Sequence, residues 1–175
     1  MEYLIVYLIR GRAKRYHKDL INEISSKFKI RNLNNHMMSH TTLKAPFKIK
    51  EIKKVENFLN SFCKKQKLSK IKIDGFGNFG KHVFYLNILF SKKASKIYKS
   101  LLVELKKFKE ISFGEYDWLG TFHSTICYVK DENQFKKIQN FVKGRNPKYL
   151  LYLDNITILK EFKGNWKIHK TFKIK

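Results

Sequence analysis

The tetrapeptides His40-Thr41-Thr42-Leu43 and His123-Ser124-Thr125-Ile126 share one form: histidine, a variable residue, threonine, aliphatic. Each sits in a stretch with β-strand character. Side chains alternate faces along a strand, so His40 and Thr42 share one face while Leu43 points to the opposite layer, and His123, Thr125 and Ile126 repeat the arrangement. The two copies begin 83 residues apart, close to half of the 175-residue chain. Each is followed by a helical pattern. Residues 50–66 carry Ile52, Val55, Phe58, Leu59 and Phe62 at helical spacing, and residues 132–143, with Asp131 as N-cap, carry Phe135, Ile138, Phe141 and Val142 on one side. A motif that repeats with its context predicts two similar lobes with the motif strands side by side or related by pseudo-symmetry.

Residues 2–9 read as a strand and 13–28 as a helix with Leu20, Ile21, Ile24 and Phe28 inward. A polar loop at 31–35 leads into the first motif. Ile71 and Ile73 begin another strand, a glycine-rich turn follows, and residues 82–90 form its partner. Ser91 caps a helix reaching to about residue 109, carrying Ile97, Leu101, Leu102, Leu105 and Phe108. The second motif strand covers 121–129. Residues 149–159 and 167–174 read as two closing strands joined at Lys163-Gly164-Asn165. Strands interspersed with helices predict an α+β fold, bilobal around a cleft, in one domain over residues 1–175.

Two imidazoles and two hydroxyls brought together supply an acid, a base and two neutral donors. Such a set suits attack on a phosphodiester: one group removes a proton, another protonates the leaving oxygen, and donors hold the non-bridging oxygens. Lys44 shares the strand parity of His40 and Thr42, so a regular strand places its ammonium on the cleft face near the phosphate, the alternative being a solvated edge lysine. Phe47 and Tyr128, with Phe79 and Tyr85, are candidates for stacking a base at the cleft mouth, as recognition of single-stranded RNA often requires, with core packing as the alternative role of each.

The stretch from Ser39 to Phe47, with Phe122-His123-Ser124-Thr125-Ile126, resembles the 2H phosphoesterases, the superfamily of RNA 2′,3′-cyclic phosphodiesterases also called 2′-5′ RNA ligases. The resemblance extends through the order of elements over nearly the whole chain. It implies a pseudo-symmetric fold with antiparallel sheets lining the cleft and helices outside. It also implies His40 and His123 as the acid-base pair, Thr42 and Thr125 as phosphate ligands, and opening of cyclic phosphates to 2′-phosphates, with 2′-5′ ligation from the same constellation. Alternatives are another cyclic or 2′-5′-linked nucleotide as substrate, or RNA binding without catalysis. The chain departs from the family pattern at Ser39, where relatives often carry proline, and at Thr41 and Ser124, where aliphatics are common.

Composition narrows the partners. A formal charge of +24 draws the protein to a polyanion such as RNA, with affinity falling as salt rises. Lysine supplies 33 of the 38 basic residues, as an AT-rich genome would write, but that bias leaves the scarcity of acids unexplained. The apolar run at residues 3–9 ends at Arg10 without a basic leader, so neither a signal peptide nor a membrane span is expected, and the expectation is a cytoplasmic protein, monomeric by preference. Cys63 and Cys127 give neither a disulfide framework nor zinc spacing. No acidic cluster suggests two-metal chemistry, so no metal and no cofactor are expected. His36 and His40 lack a third ligand partner. Gly75-Phe76-Gly77-Asn78-Phe79-Gly80 matches G-x-G-x-x-G literally, yet a β-rich segment follows instead of a helix, which predicts a hairpin or bulge. His17, His82 and His169 stand outside any motif, with surface or packing roles expected.

Overall fold

Glu2–Leu8 forms strand β1, and every residue after the first is buried. Its unbroken apolar run has a simple cause, since a central strand covered on both faces has no solvent side to alternate toward. Tyr3, Ile5 and Tyr7 enter the main core, while Leu4, Val6 and Leu8 face Leu159, Met37, Met38 and Trp166 on the other side. The computed structural model describes all 175 residues. After β1 come helix α1 (Gly11–Phe28), motif strand β2 (His40–Lys48), α2 (Ile52–Lys64) and the strands β3 (Lys70–Phe79) and β4 (Val83–Phe90). Helix α3 (Lys92–Leu105), motif strand β5 (Phe122–Tyr128), α4 (Glu132–Val142) and strands β6 (Lys148–Tyr152), β7 (Asn155–Phe162) and β8 (Asn165–Lys173) complete the chain. Ser91 and Asp131 cap α3 and α4 as read from the sequence, accepting from the Ala94 and Gln134 N–H groups.

The architecture is α+β, with two four-stranded sheets in the orders β2-β1-β7-β8 and β5-β4-β3-β6. All strand pairs are antiparallel. The lobes are pseudo-symmetric: β1, α1, β2 and α2 correspond to β4, α3, β5 and α4, and each motif strand is the edge strand of its sheet. One core of 39 buried residues runs through both sheets. Helix α1 leaves the first sheet and packs against β5 and α4 of the second lobe, where Tyr16 meets Tyr149 and Phe28 meets Phe141.

Both motif strands carry a β-bulge at the same motif position. Val6 pairs with Thr42 and Ile5 with Lys44, leaving Leu43 as the extra residue. Tyr85 pairs with Thr125 and Phe84 with Cys127, leaving Ile126. A bulge breaks the alternation of faces, so the residue after it turns inward as well. Leu43 and Lys44 are both buried, as are Ile126 and Cys127.

This bulge corrects the placement of Lys44. Strand parity puts its ammonium in the cleft, whereas the structure buries it at 1% exposure and pairs Nζ with Asp117 at 3.0 Å. Asp117 sits in the 3₁₀ turn Glu115–Asp117 and also accepts from the Ala45 and Gly114 N–H groups. Phe113 lies under the ammonium at 4.7 Å, and the Tyr98 hydroxyl donates to the Asp117 carbonyl. Burial lowers the Lys44 pKa while Asp117 pulls it back up. The pair fastens the loop before β5 onto β2, joining the lobes on one side of the cleft. Phe47 is likewise corrected: at 1% exposure it belongs to the core and cannot stack on a base.

A third correction concerns residues 149–159, which read as one strand. The chain changes sheets at Leu153-Asp154, so β6 ends one sheet and β7 begins the other. Asn155, fully buried, makes the transition by accepting from the Leu8 N–H and donating to the Leu8 carbonyl, so its amide replaces a strand partner at the end of β1. The glycine motif is a β3–β4 hairpin with a bulge near Gly75, and Gly75 and Gly80 hold positive φ.

Removing one half of a buried ion pair strands the other, so Asp117→Ala is expected to cost about 3–5 kcal/mol in urea unfolding. A loss under ~1 kcal/mol, the value of an exposed pair, would contradict this account of the inter-lobe contact.

Candidate active site

His40 opens β2 and His123 is the second residue of β5, so the two edge strands bring both imidazoles to one cleft. His40, Thr42, His123 and Thr125 line one cavity of about 410 Å³ together with Pro46 and Tyr128. A second cavity of about 440 Å³ adjoins it, sharing Thr42, Pro46 and His123, and its remaining wall includes Phe79, Tyr116 and Leu119. The motif residues therefore stand where two compartments meet. Arg31, His36 and Trp166 also line the first compartment.

Each motif histidine is held in the same way. His40 Nδ1 lies 2.8 Å from the Met38 carbonyl, and His123 Nδ1 lies 3.3 Å from the Thr121 carbonyl, in both cases two residues upstream. A carbonyl only accepts, so Nδ1 carries the hydrogen in both rings. The neutral tautomer then has a bare Nε2, available as base or, once protonated, as acid. Repetition of this bond in both lobes is a local product of the strand entry, where backbone still outside the ladder bends under the ring.

Surroundings then separate the two rings. Burial lowers the His40 pKa to about 4, the Met38 carbonyl acts in the other direction, and the charge of His123 lowers it further. His123 is also lowered by burial, opposed by the Thr121 carbonyl. It stands in an aromatic collar, with Phe79 at 4.8 Å meeting it at 89° and Tyr85 at 5.1 Å. Gly77 makes room for that collar: a Cβ there would lie 2.6 Å from Tyr85 Cζ. The middle glycine of the G-x-G-x-x-G string thus permits a tyrosine ring.

The cleft floor contains a residue that the sequence reading left outside it. His17 of α1 is 3% exposed, with Nδ1 2.9 Å from Ser39 Oγ and Nε2 3.0 Å from the Thr125 carbonyl. Nε2 is also 3.3 Å from Ser124 Oγ. Burial holds its pKa near 4. The available signal was a histidine on the apolar stripe of an amphipathic helix, where a buried imidazole needs partners for both nitrogens.

Tyr128 is exposed and borders the first cavity, and Phe79 borders the second. Tyr85 reaches the site through His123. His36 bonds Asn165 at the start of β8, and His169 bonds Glu56 of α2. The Cys63 and Cys127 thiols are free, and burial pushes both up to about 12, which leaves them unsuited to nucleophilic attack. No group of three or more His, Cys, Asp or Glu side chains is placed to hold a metal ion. No helix is long and apolar enough to cross a membrane.

With two pseudo-symmetric sheets and a histidine-threonine pair from each, the site has the form of a 2H phosphoesterase. The model of the 2′-5′ RNA ligase superfamily matches residues 14–165, and the chain belongs to that superfamily. Among solved structures, TT0787 of Thermus thermophilus is similar at TM-score 0.59 and 12% identity, covering 99% of this chain and 98% of its own. Escherichia coli LigT complexed with 3′-AMP is similar at TM-score 0.59 and 12% identity, covering 99% and 97%. Usb1 of Kluyveromyces marxianus with uridine monophosphate follows at TM-score 0.51 and 13% identity, covering 99% and 98%. At these identities the likeness is one of fold. No curated protein matches the sequence.

Two histidines held neutral, buried His17 and half-buried His40, make the fold acid-sensitive. An unfolded chain protonates them near the ordinary 6.5, whereas folded His17 and His40 resist until about 4. Their contribution is intact above ~6.5 and is lost as pH falls toward ~4, at about 1.4 kcal/mol per pH unit for a fully buried ring such as His17. Urea unfolding across this window is expected to show a shallower pH slope in His17→Gln than in the wild type. Equal slopes would contradict the folded-state titration of His17.

Proposed function

We propose that the protein is a metal-independent phosphodiesterase that opens 2′,3′-cyclic phosphates on RNA ends or small nucleotides to 2′-phosphates. The observation that carries the reading is the matched pair of imidazoles, each with Nδ1–H tied to a carbonyl and Nε2 left free, beside Thr42 and Thr125 in one cavity. In this mechanism water attacks phosphorus while Nε2 of one histidine takes its proton. The P–O3′ bond breaks, and Nε2–H of the other histidine protonates the departing 3′ oxygen. The two threonine hydroxyls hold the non-bridging oxygens as charge builds on them.

The environments favour His40 as base and His123 as acid. Burial is the leading cause of a lowered pKa in both rings and an arriving phosphate anion raises both, but His40 is kept neutral down to about 4, which suits the base, and the more open His123 is left as the acid. Divergent environments for two like groups are the usual basis of such a division. A 5′-hydroxyl in place of water gives a 2′-5′ linkage through the same roles. The complexes of relatives with 3′-AMP and uridine monophosphate support a nucleotide ligand. The apolar compartment bounded by Phe79, Tyr116 and Leu119 suits a base, and Arg31 with Tyr128 borders the path for continuing chain. The +24 charge adds sequence-independent attraction to the phosphate backbone.

The test is conversion, in EDTA, of an oligoribonucleotide ending in a 2′,3′-cyclic phosphate, with the product end mapped. Wild-type protein is expected to yield a 2′-phosphate, and His40→Ala and His123→Ala each to lose ~10²–10⁴-fold in rate. Near-wild-type turnover in both variants would end the two-histidine reading. RNA affinity without conversion would leave the non-catalytic alternative.

Gly77→Ala displaces the Tyr85 ring that packs on His123 and is expected to lower kcat roughly tenfold or more, because a shift of the His123 imidazole misplaces a reacting group. Unchanged kcat would remove the collar from the mechanism.

A further inference from the structure

We propose that His17 is a positioning residue that joins the two motif strands beneath the cleft and sets the separation of His40 and His123. Its kinetic consequences rest on the phosphoesterase reading; its structural consequence does not.

The argument starts from what α1 requires. The buried stripe of this helix includes Ala13, Leu20, Ile21 and Ile24, and any aliphatic at position 17 would pack there. An imidazole is expensive in such a place unless both nitrogens are bonded. Both are, and to different lobes. The Thr125 carbonyl only accepts, so Nε2 carries the hydrogen and is shared with Ser124 Oγ. In the neutral ring Nδ1 is then an acceptor, and the Ser39 hydroxyl donates to it.

These contacts fall where they have most leverage. Ser39 immediately precedes His40, and Ser124 immediately follows His123. Movement of either contact is transmitted to a motif ring through one peptide unit. Further along β2, Lys44–Asp117 ties the same strand to the loop before β5, so His17 provides the second of two ties between the motif strands.

The experiment compares His17→Phe, which keeps a ring but loses both bonds, with His17→Gln and the milder Ser39→Ala. His17→Phe is expected to retain KM within about twofold while kcat falls ~10²-fold, the scale of a ~1 Å misplacement. His17→Gln, which keeps a donor for Thr125, recovers part of that loss, and Ser39→Ala falls between it and the wild type. Independently of turnover, ring-proton NMR follows the titration of His40, which is expected to move from about 4 toward the ordinary 6.5 in His17→Phe as water reaches the loosened cleft. The proposal is overturned if kcat and the His40 titration are both unchanged. It is equally overturned if activity falls only with the folded fraction while Ser39→Ala behaves as wild type. A shifted His40 titration in a protein whose wild type turns over no phosphodiester would sustain the positioning role and refute the activity.

Discussion

Everything at the cleft depends on holding two edge strands from different sheets in fixed register. An edge strand has a hydrogen-bonded neighbour on one side only, and β2 and β5 belong to separate ladders. Two polar connections supply the constraint. His17 bridges Ser39 to Ser124 and Thr125 from below, and the buried Lys44–Asp117 pair bridges β2 to the loop before β5. Each is buried and hydrogen-bonded on both sides of the bridge, the condition under which polar groups specify an arrangement instead of merely costing free energy. An apolar contact would resist separation but would tolerate sliding.

The bulges at Leu43 and Ile126 belong to the same design. They let the strand present histidine and threonine to the cleft and then turn two successive residues into the core. Lys44 and Cys127 are the inward residues of the two lobes. In one lobe that position became an ion pair to the opposite lobe, and in the other a thiol inert at about 12. Pseudo-symmetry thus fixes the backbone and leaves chemistry to differ. The same holds for the histidines: identical Nδ1 bonds, unequal burial, and an aromatic collar around His123 only.

Much of this was legible in the sequence because it is periodic or local. The repeated tetrapeptide gave both motif histidines and threonines, the 3.6-residue stripes gave all four helices, and Ser91 and Asp131 gave their own caps. What escaped has physical reasons. A bulge adds one residue without a composition signal, so parity failed one step beyond it at Lys44, and Phe47 followed its burial. The sheet change falls where Asp154 and Asn155 interrupt an apolar run, a pattern that also fits a strand edge. His17 depends on partners 22 and 108 positions away, and no local window contains that information. Gly77 was recognised as no phosphate loop, but its purpose required seeing Tyr85 across the hairpin.

The most direct test of the central claim is phosphorus NMR of an oligoribonucleotide 2′,3′-cyclic phosphate incubated with the protein and EDTA in water labelled with heavy oxygen. A fixed pair of imidazoles across one phosphate predicts a single 2′-phosphate product carrying one labelled oxygen on phosphorus. A mixture of 2′- and 3′-phosphates, or no conversion without added metal, would contradict it.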